Sequence, residues 1–151
     1  VSTAFALHAA GLQPEIAEDL ETAVRDADIV SCATLATDPL VRGEWLKKGA
    51  HVDLVGSFTP KMREADDAAI RRSTVYVDTR AGAPKGSGDI AIPLRKKLLK
   101  PSDIKGDLFE LARGKAKGRR RKDEITLFKS VGTAIEDLAA ARLVWQALRR
   151  P

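Results

Sequence analysis

Cysteine is nearly absent from this 151-residue chain, in which Cys32 is the only one. A single cysteine cannot form an intramolecular disulfide, and no cluster of Cys and His residues has the spacing of metal ligands. The sequence therefore excludes a disulfide-stapled domain and predicts no metal site. Cys32 lies within the apolar stretch DIVSCATL, which favours a buried structural thiol over a nucleophile.

Long apolar runs are lacking as well. No run approaches the roughly 18 to 20 residues of a membrane span. The opening stretch VSTAFALHAAGL has neither the basic region nor the cleavage-site pattern of a secretory signal. With 44% hydrophobic residues, the composition predicts a soluble globular protein, which we expect to be cytoplasmic and free of membrane partners.

The charge distribution is uneven. Basic residues exceed acidic ones from Arg95 onward, and the excess is greatest in KAKGRRRK, residues 115–122. Such a run can bind nucleic acid through phosphate charge. We favour a solvated basic loop, because no aromatic residue interrupts the run and no helix-turn-helix, zinc or RNA-recognition pattern surrounds it.

Short β-rich runs alternate with helical segments along the chain, which is typical of an α/β fold. Strands are predicted at residues 28–34, 51–56, 74–79 and 125–128, and a long Ala-rich helix at residues 133–149. The first three runs are continuous and rich in Val and Ile, as expected of strands buried on both faces. The sequence thus predicts a Rossmann-like parallel sheet with a long carboxyl-terminal helix. Residues 82–118 are less regular, and GAPKGSG within them is predicted to be a flexible turn.

The ends of the predicted strands carry small or hydroxyl residues. Thr34 follows the first strand, Gly56 and Ser57 follow the second, and Ser130 precedes Gly132 between the last strand and the final helix. Small residues let a flat ligand approach the backbone, and parallel α/β sheets bind ligands beyond the carboxyl ends of their strands. We expect these ends to share one cleft. The alternative at Gly132 is that glycine only permits close packing.

A dinucleotide-binding domain should also contain G-x-G-x-x-G after its first strand and an acidic residue closing its second strand. This chain contains neither, and its opening stretch is typical of a helix that would follow a second strand. Either the fold is not a dinucleotide binder, or the chain is the carboxyl-terminal part of one. In the second case the sheet would be incomplete at its amino-terminal side.

Three colinear stretches resemble the ornithine cyclodeaminase/mu-crystallin family: residues 21–70, VYVDTRAGAPKGSGDI, and DEITLFKSVGTAIEDLAAARLVW. The resemblance implies a Rossmann NAD(P) domain beside a separate dimerising substrate domain. Residues 1–131 would then be a partial NAD(P) domain, and residues 132–151 a helix returning toward the substrate domain. The full-length protein is expected to be a homodimer that binds a cyclic imino acid or an amino acid.

The resemblance also implies cofactor-binding positions for NAD(P)H. These are Thr34, Gly56, Ser57, Ser130 and Val131. The family's glycine fingerprint and its substrate-binding Arg and Lys residues have no counterpart here, so no catalytic residue is assigned. We expect the isolated chain to bind the cofactor poorly.

One departure from the family pattern bears on the chemistry. In ornithine cyclodeaminases the strand equivalent to HVDLVG is followed by a second Gly and then an Asp that serves as acid and base in the cyclisation; this chain has Ser57 and Phe58 there. A phenyl ring cannot move a proton. The chain therefore resembles the reductase branch, which reduces Δ1-pyrroline-2-carboxylate and Δ1-piperideine-2-carboxylate to proline and pipecolate. Ornithine cyclodeamination and a non-catalytic, mu-crystallin-like role remain alternatives.

Five charged residues near the predicted strand ends invite a functional interpretation. We predict that Asp78 accepts hydrogen bonds from loop N–H groups, that Asp89 caps a turn or helix, and that Glu64 and Asp66 open a helix. Lys129 either faces a phosphate or carboxylate or is solvated.

Overall fold

Five strands of four residues alternate with helices in the computed structural model, which describes residues 2–149. The strands are β1 (Ile29–Cys32), β2 (His51–Leu54), β3 (Thr74–Val77), β4 (Ile104–Asp107) and β5 (Thr126–Lys129). The helices are α1 (Ser2–Ala9), α2 (Leu20–Asp26), α3 (Asp67–Arg72), α4 (Ala83–Gly86), α5 (Gly88–Arg95), α6 (Leu108–Ala112) and α7 (Ala134–Leu148). Short 3-10 turns occupy Gly43–Trp45 and Pro101–Asp103.

The strands form one parallel sheet in the order β1-β2-β5-β3-β4. Strand β5 is the last in sequence but lies at the centre, where its Lys129 pairs with Leu54 of β2 and with Val77 of β3. All strands run the same way, so their carboxyl ends meet at one edge of the sheet. The predicted α/β parallel sheet is confirmed.

One face of the sheet carries most of the hydrophobic core. Side chains alternate between faces along a strand, and on this face the residues of β2, β3 and β5 are completely or almost completely buried. The strand residues of this core are Cys32, Val52, Leu54, Val75, Val77, Ile104 and Leu127. Helices α2, α3 and α5 contribute Val24, Ile70 and Ile90.

The sequence-predicted boundaries of three strands enclose the observed ones, and the fourth strand is shifted by one residue. The region 82–118 differs more. The prediction of a flexible turn at GAPKGSG is wrong, because it forms α4 and the start of α5. The Ser87 side chain accepts a hydrogen bond from the N–H of Asp89 and so starts α5. A Cβ added at Gly88 would lie 2.2 Å from the carbonyl oxygen of Met62, so glycine serves close packing there.

The long carboxyl-terminal helix is confirmed as α7, with Thr133 at its N-cap position. No residue of α7 is buried. Six large apolar side chains on it are each more than half exposed; they are Ile135, Leu138, Leu143, Val144, Trp145 and Leu148. A helix with this many exposed apolar side chains and no buried residue is typical of an interaction element. No helix within residues 2–149 is both long and apolar enough to cross a membrane.

The basic run turns back onto the amino-terminal ends of the central strands through Arg119. Its guanidinium donates to the Glu124 carbonyl at 2.8 Å, to the Ala50 carbonyl at 3.2 Å and to the Thr126 hydroxyl at 3.1 Å, and also to the Gly49 carbonyl. Arginine suits this place because its planar fork serves several acceptors at once. One member of the run is therefore a structural tie.

Replacing Arg119 by alanine is expected to lower the free energy of unfolding by about 1 to 2 kcal/mol, because carbonyls of the β2 and β5 ends lose a charged donor. Arg120→Ala is the matched control, since the Arg120 side chain makes no hydrogen bond to the described part of the chain. Urea denaturation followed by circular dichroism measures both. Equal stabilities of the two variants would contradict the structural role of Arg119.

Candidate binding site at the carboxyl ends of the strands

Three strand ends with small residues lie at one edge of the sheet, as the sequence predicts. The N–H of Ser130, directly after β5, donates to the Leu54 carbonyl at 3.0 Å. Gly56 lies so close to the end of β1 that a Cβ added there would be 2.1 Å from the carbonyl oxygen of Thr34. The turns after β1, β2 and β5 are therefore immediate neighbours.

Glu64 joins the first two of these turns. It is fully buried, and its Oε1 accepts from the N–H and the hydroxyl of Thr34 at 2.7 and 2.9 Å. Its Oε2 accepts from the N–H groups of Gly56 and Ser57 at 2.9 and 3.3 Å. The prediction that Glu64 opens a helix is thus wrong, whereas Asp66 does cap α3 through the N–H of Ala69.

Lys129 lies beneath the same turns, on the buried face of β5. Of the two predicted alternatives, the solvated lysine is wrong, and the carboxylates that Lys129 faces belong to the protein itself. Lys129 is fully buried, and its Nζ donates to the Leu54 carbonyl at 3.0 Å. The Nζ also lies 4.0 Å from carboxylate oxygens of Glu64 and Asp89. Burial lowers the pKa of Lys129, and these neighbouring carboxylates oppose that change.

Asp89 supports Glu64 from below. Its Oδ1 accepts from the N–H groups of Glu64 and Ala65 at 2.9 and 3.0 Å. Burial raises the pKa of Asp89, while these backbone hydrogen bonds and the Lys129 charge oppose the rise. The predicted role of Asp89 as a helix cap is wrong, because Ser87 is the N-cap of α5 and the Asp89 carboxylate binds a neighbouring loop instead.

Ser57 is fully buried. Its hydroxyl donates to the Met62 carbonyl at 2.7 Å and lies 2.9 Å from the Ser87 hydroxyl. These bonds tie the turn after β2 to the start of α5. The Ser57 side chain therefore fixes the shape of the site and presents no hydroxyl at its surface.

Asp78 organises the turn between β5 and α7. Its Oδ2 accepts from the N–H groups of Val131 and Gly132 at 2.7 and 2.9 Å, and its Oδ1 accepts from Thr79 at 2.6 Å. The predicted role of Asp78 as an acceptor for loop N–H groups is confirmed. Gly132 has φ of 81°, a left-handed conformation that favours glycine. The glycine at this break is thus required by the turn itself.

Apolar side chains project from the same edge. Leu35, Val55 and Phe58 follow the ends of β1 and β2 and are 77%, 46% and 56% exposed. Exposed apolar groups beside small residues suit a flat, partly apolar ligand. These three residues were not among the sequence-predicted site residues, although each directly adjoins one of the predicted strand ends.

A cavity of about 410 Å³ lies elsewhere, on the sheet face that carries His51, Tyr76 and Phe128. Its remaining walls include Leu108 and Leu111 of α6. It contains none of the predicted site residues, so it is distinct from the carboxyl edge. Within residues 2–149, no group of three His, Cys, Asp or Glu side chains is arranged to hold a metal ion.

Comparison with known proteins assigns the family. A sequence model of the ornithine cyclodeaminase/mu-crystallin family matches residues 2–150. The chain belongs to this family. It is 40% identical over 136 residues to the Δ1-pyrroline-2-carboxylate reductase of Paracoccus denitrificans, covering 89% of this chain and 43% of the reductase. It is also 40% identical over 132 residues to the mouse ketimine reductase mu-crystallin, covering 87% of this chain and 39% of that protein.

A solved structure with the same fold is that of Thermococcus litoralis Δ1-pyrroline-2-carboxylate reductase in complex with NADH and L-proline. It superposes with a TM-score of 0.88 at 37% identity, covering 93% of this chain and 43% of the archaeal chain. This family member therefore spans less than half the length of the relatives it matches. The family resemblance inferred from the sequence is confirmed.

Proposed function

We propose that the complete protein reduces cyclic imino acids with NAD(P)H, converting Δ1-pyrroline-2-carboxylate or Δ1-piperideine-2-carboxylate to proline or pipecolate. The observation that carries the proposal is the 40% identity to a Δ1-pyrroline-2-carboxylate reductase over 89% of this chain. Phe58 favours reduction over ornithine cyclodeamination, because it stands where cyclodeaminases have the Asp that moves a proton.

The carboxyl edge of the sheet is the proposed place of the nicotinamide cofactor. Thr34, Gly56, Ser57, Ser130 and Val131 are its proposed binding elements, with Ser57 acting through the turn that it fixes. The absence of a side chain at Gly56 fits the close approach of a flat ring to the backbone. Bound NAD(P)H would supply the hydride that reduces the C=N carbon.

The exposed apolar side chains define what this chain contributes beside that cofactor. Leu35, Val55 and Phe58 would cover one side of the bound ring and keep water from the reacting carbon. None of the three can donate the proton that the imine nitrogen requires. We place the proton donor and the residues that bind the substrate carboxylate in the part of the relatives' length that this chain does not cover.

The domain division predicted from the sequence is also a proposal. Residues 1–131 would form part of the NAD(P) domain, and residues 132–151 would carry α7 to the substrate and dimerisation domain of a homodimer. The exposed apolar residues of α7 support this, because six large side chains need a partner surface. The matched relatives have room for such a domain, since this chain covers about 40% of their length.

The full-length protein should oxidise NADH or NADPH in the presence of Δ1-pyrroline-2-carboxylate and form proline. It should release no ammonia from L-ornithine, because Phe58 cannot serve as the acid and base of cyclisation. Absorbance at the reduced nicotinamide band and an ammonia assay measure the two reactions. Ammonia and proline from ornithine without imine reduction would favour cyclodeamination. Cofactor binding with turnover of neither substrate would favour a non-catalytic, mu-crystallin-like role.

A further inference from the structure

A buried charged cluster lies directly beneath the carboxyl edge. It consists of Glu64 from the loop after β2, Asp89 from α5 and Lys129 from β5, and all three side chains are fully buried. Burying charges is costly, and well-packed apolar residues would often be at least as stabilising. Stability alone is therefore a poor reason for the cluster, which is better explained by what it holds in place.

The cluster sets the relation between the turns after β1 and β2. One carboxylate, that of Glu64, accepts from Thr34 through Oε1 and from Gly56 and Ser57 through Oε2. Because both turns bind a single rigid group, the distance between them is fixed by the width of that carboxylate. An apolar residue at position 64 could fill the space but could not accept these four hydrogen bonds.

Lys129 and Asp89 in turn fix the carboxylate. Asp89 holds the Glu64 backbone N–H at 2.9 Å, and the Lys129 Nζ lies 4.0 Å from the Glu64 Oε2 and donates to the Leu54 carbonyl at 3.0 Å. The Oδ2 of Asp89 has no hydrogen-bond partner within residues 2–149. The positive charge of Lys129 therefore compensates the two carboxylates. Through Lys129 and Glu64, the turns after β1 and β2 are held at a fixed position relative to strand β5.

We propose that Glu64 is a positioning residue for the nicotinamide cofactor, acting through the backbone of Thr34 and Gly56, and that Lys129 keeps Glu64 in place. This inference rests on the proposed function, because it concerns the same edge of the sheet. It adds two fully buried residues, Glu64 and Lys129, that the family resemblance did not indicate.

The test uses the full-length protein and the variants Glu64→Gln, Lys129→Met and the double variant. Glu44→Gln is the matched control, because Glu44 is an exposed carboxylate that pairs only loosely with Arg42, at 3.9 Å. In Glu64→Gln an amide NH₂ replaces one accepting oxygen, so one turn loses its acceptor. NADH dissociation constants are measured by fluorescence, and amide hydrogen exchange is measured without cofactor.

In Glu64→Gln, amide exchange at Thr34, Gly56 or Ser57 should rise at least about tenfold, while the core amides of Val52 and Leu127 keep their wild-type rates. The dissociation constant and KM for NADH should rise about tenfold or more, with kcat at saturating NADH within about threefold of wild type. Lys129→Met should weaken NADH binding about tenfold in the wild-type background and much less in the Glu64→Gln background, because the two residues act as one unit.

Uniformly faster exchange across the sheet, or a fall in kcat without a change in KM, would overturn the positioning role and leave only a structural one. Additive effects in the double variant would overturn the part assigned to Lys129. If Glu64→Gln bound NADH as tightly as the wild-type protein does, the positioning role of Glu64 would be refuted and the proposed function would stand. Wild-type protein that binds neither NADH nor NADPH would refute the proposed function together with it.

Discussion

Replacing Gly56 by alanine is expected to lower the free energy of unfolding by about 3 kcal/mol or more, which is the upper part of the range for overpacked sites. The added Cβ would lie 2.1 and 2.2 Å from the carbonyl oxygen and the nitrogen of Thr34 and 2.3 Å from Oε1 of Glu64. Backbone atoms of a neighbouring strand end cannot move aside as a flexible side chain can. The turns after β1 and β2 must therefore separate, and Glu64 can no longer bind both.

Gly118→Ala is the matched control, because a Cβ at Gly118 would meet no atom within 4 Å. Its φ is not in the left-handed region, so alanine should leave the stability within about 0.5 kcal/mol or raise it slightly. Chemical denaturation of both variants measures the difference. A Gly56→Ala variant as stable as Gly118→Ala would show that the turns do not approach each other as closely as described.

The same variant bears on cofactor binding, because Gly56 is a proposed contact. Separation of the two turns should weaken NADH binding in the full-length protein at least about tenfold, the effect of losing one hydrogen bond to a charged group. The folded fraction must be established first by circular dichroism. A folded Gly56→Ala protein with unchanged affinity would place the cofactor away from this turn.

The central strands could be predicted from the sequence because one face of each is completely or almost completely buried in the core. The runs that became β2 and β3 are short and rich in valine, which is the expected pattern for the middle of a parallel sheet. Strand β4 could not be predicted in the same way. It has the sequence IKGD and pairs only with β3 at the edge of the sheet. Its Lys105 is exposed and one of its two buried positions is glycine, so its sequence lacks the apolar pattern of a buried strand.

The candidate site could be predicted in outline for a similar reason. Parallel strands bring their carboxyl ends to one edge, so residues such as Thr34, Gly56 and Ser130 could be placed together without knowing the strand order. The position of Glu64 beneath the turns could not be predicted, because the sequence READ is typical of a helix start. Only tertiary contacts bring Glu64 to the turns after β1 and β2. The burial of Lys129 could have been predicted from the sequence. Lys129 lies two residues after the buried Leu127 on the same strand, and side chains two residues apart on a strand share one face, here the core face.

Two buried carboxylates fix the conformation of different turns at this edge. Glu64 holds the turns after β1 and β2, and Asp78 holds the turn between β5 and α7. Both accept from backbone N–H groups that would otherwise be left unpaired at strand ends, where the ladder of the sheet stops. The site is therefore built mainly from backbone fixed by buried acids. A search of the sequence for exposed polar side chains does not find a site of this kind, because its acids are buried and its surface is backbone.

Asp78→Ala is expected to lower the free energy of unfolding by about 3 kcal/mol, since hydrogen bonds to a charged group contribute about 1.5 to 3 kcal/mol each and are not additive. Asp78 is 1% exposed, so water cannot readily replace its carboxylate at the N–H groups of Thr79, Val131 and Gly132. Urea denaturation measures the change. Amide exchange at Val131 and Gly132 should accelerate with it, because these amides lose their acceptor.

Asp78→Asn should fall between wild type and alanine. The amide oxygen can still accept from the N–H groups of Val131 and Gly132. The NH₂ group would replace Oδ1, which accepts from the N–H of Thr79 in the wild-type protein, so that hydrogen bond is lost. Asp38→Ala is the control, because Asp38 is an exposed carboxylate, and its replacement should change stability by no more than about 0.5 kcal/mol. If Asp78→Asn were as unstable as Asp78→Ala, the negative charge rather than hydrogen-bond acceptance would be what holds the β5–α7 turn. If neither differed from Asp38→Ala, Asp78 would have no part in shaping the edge.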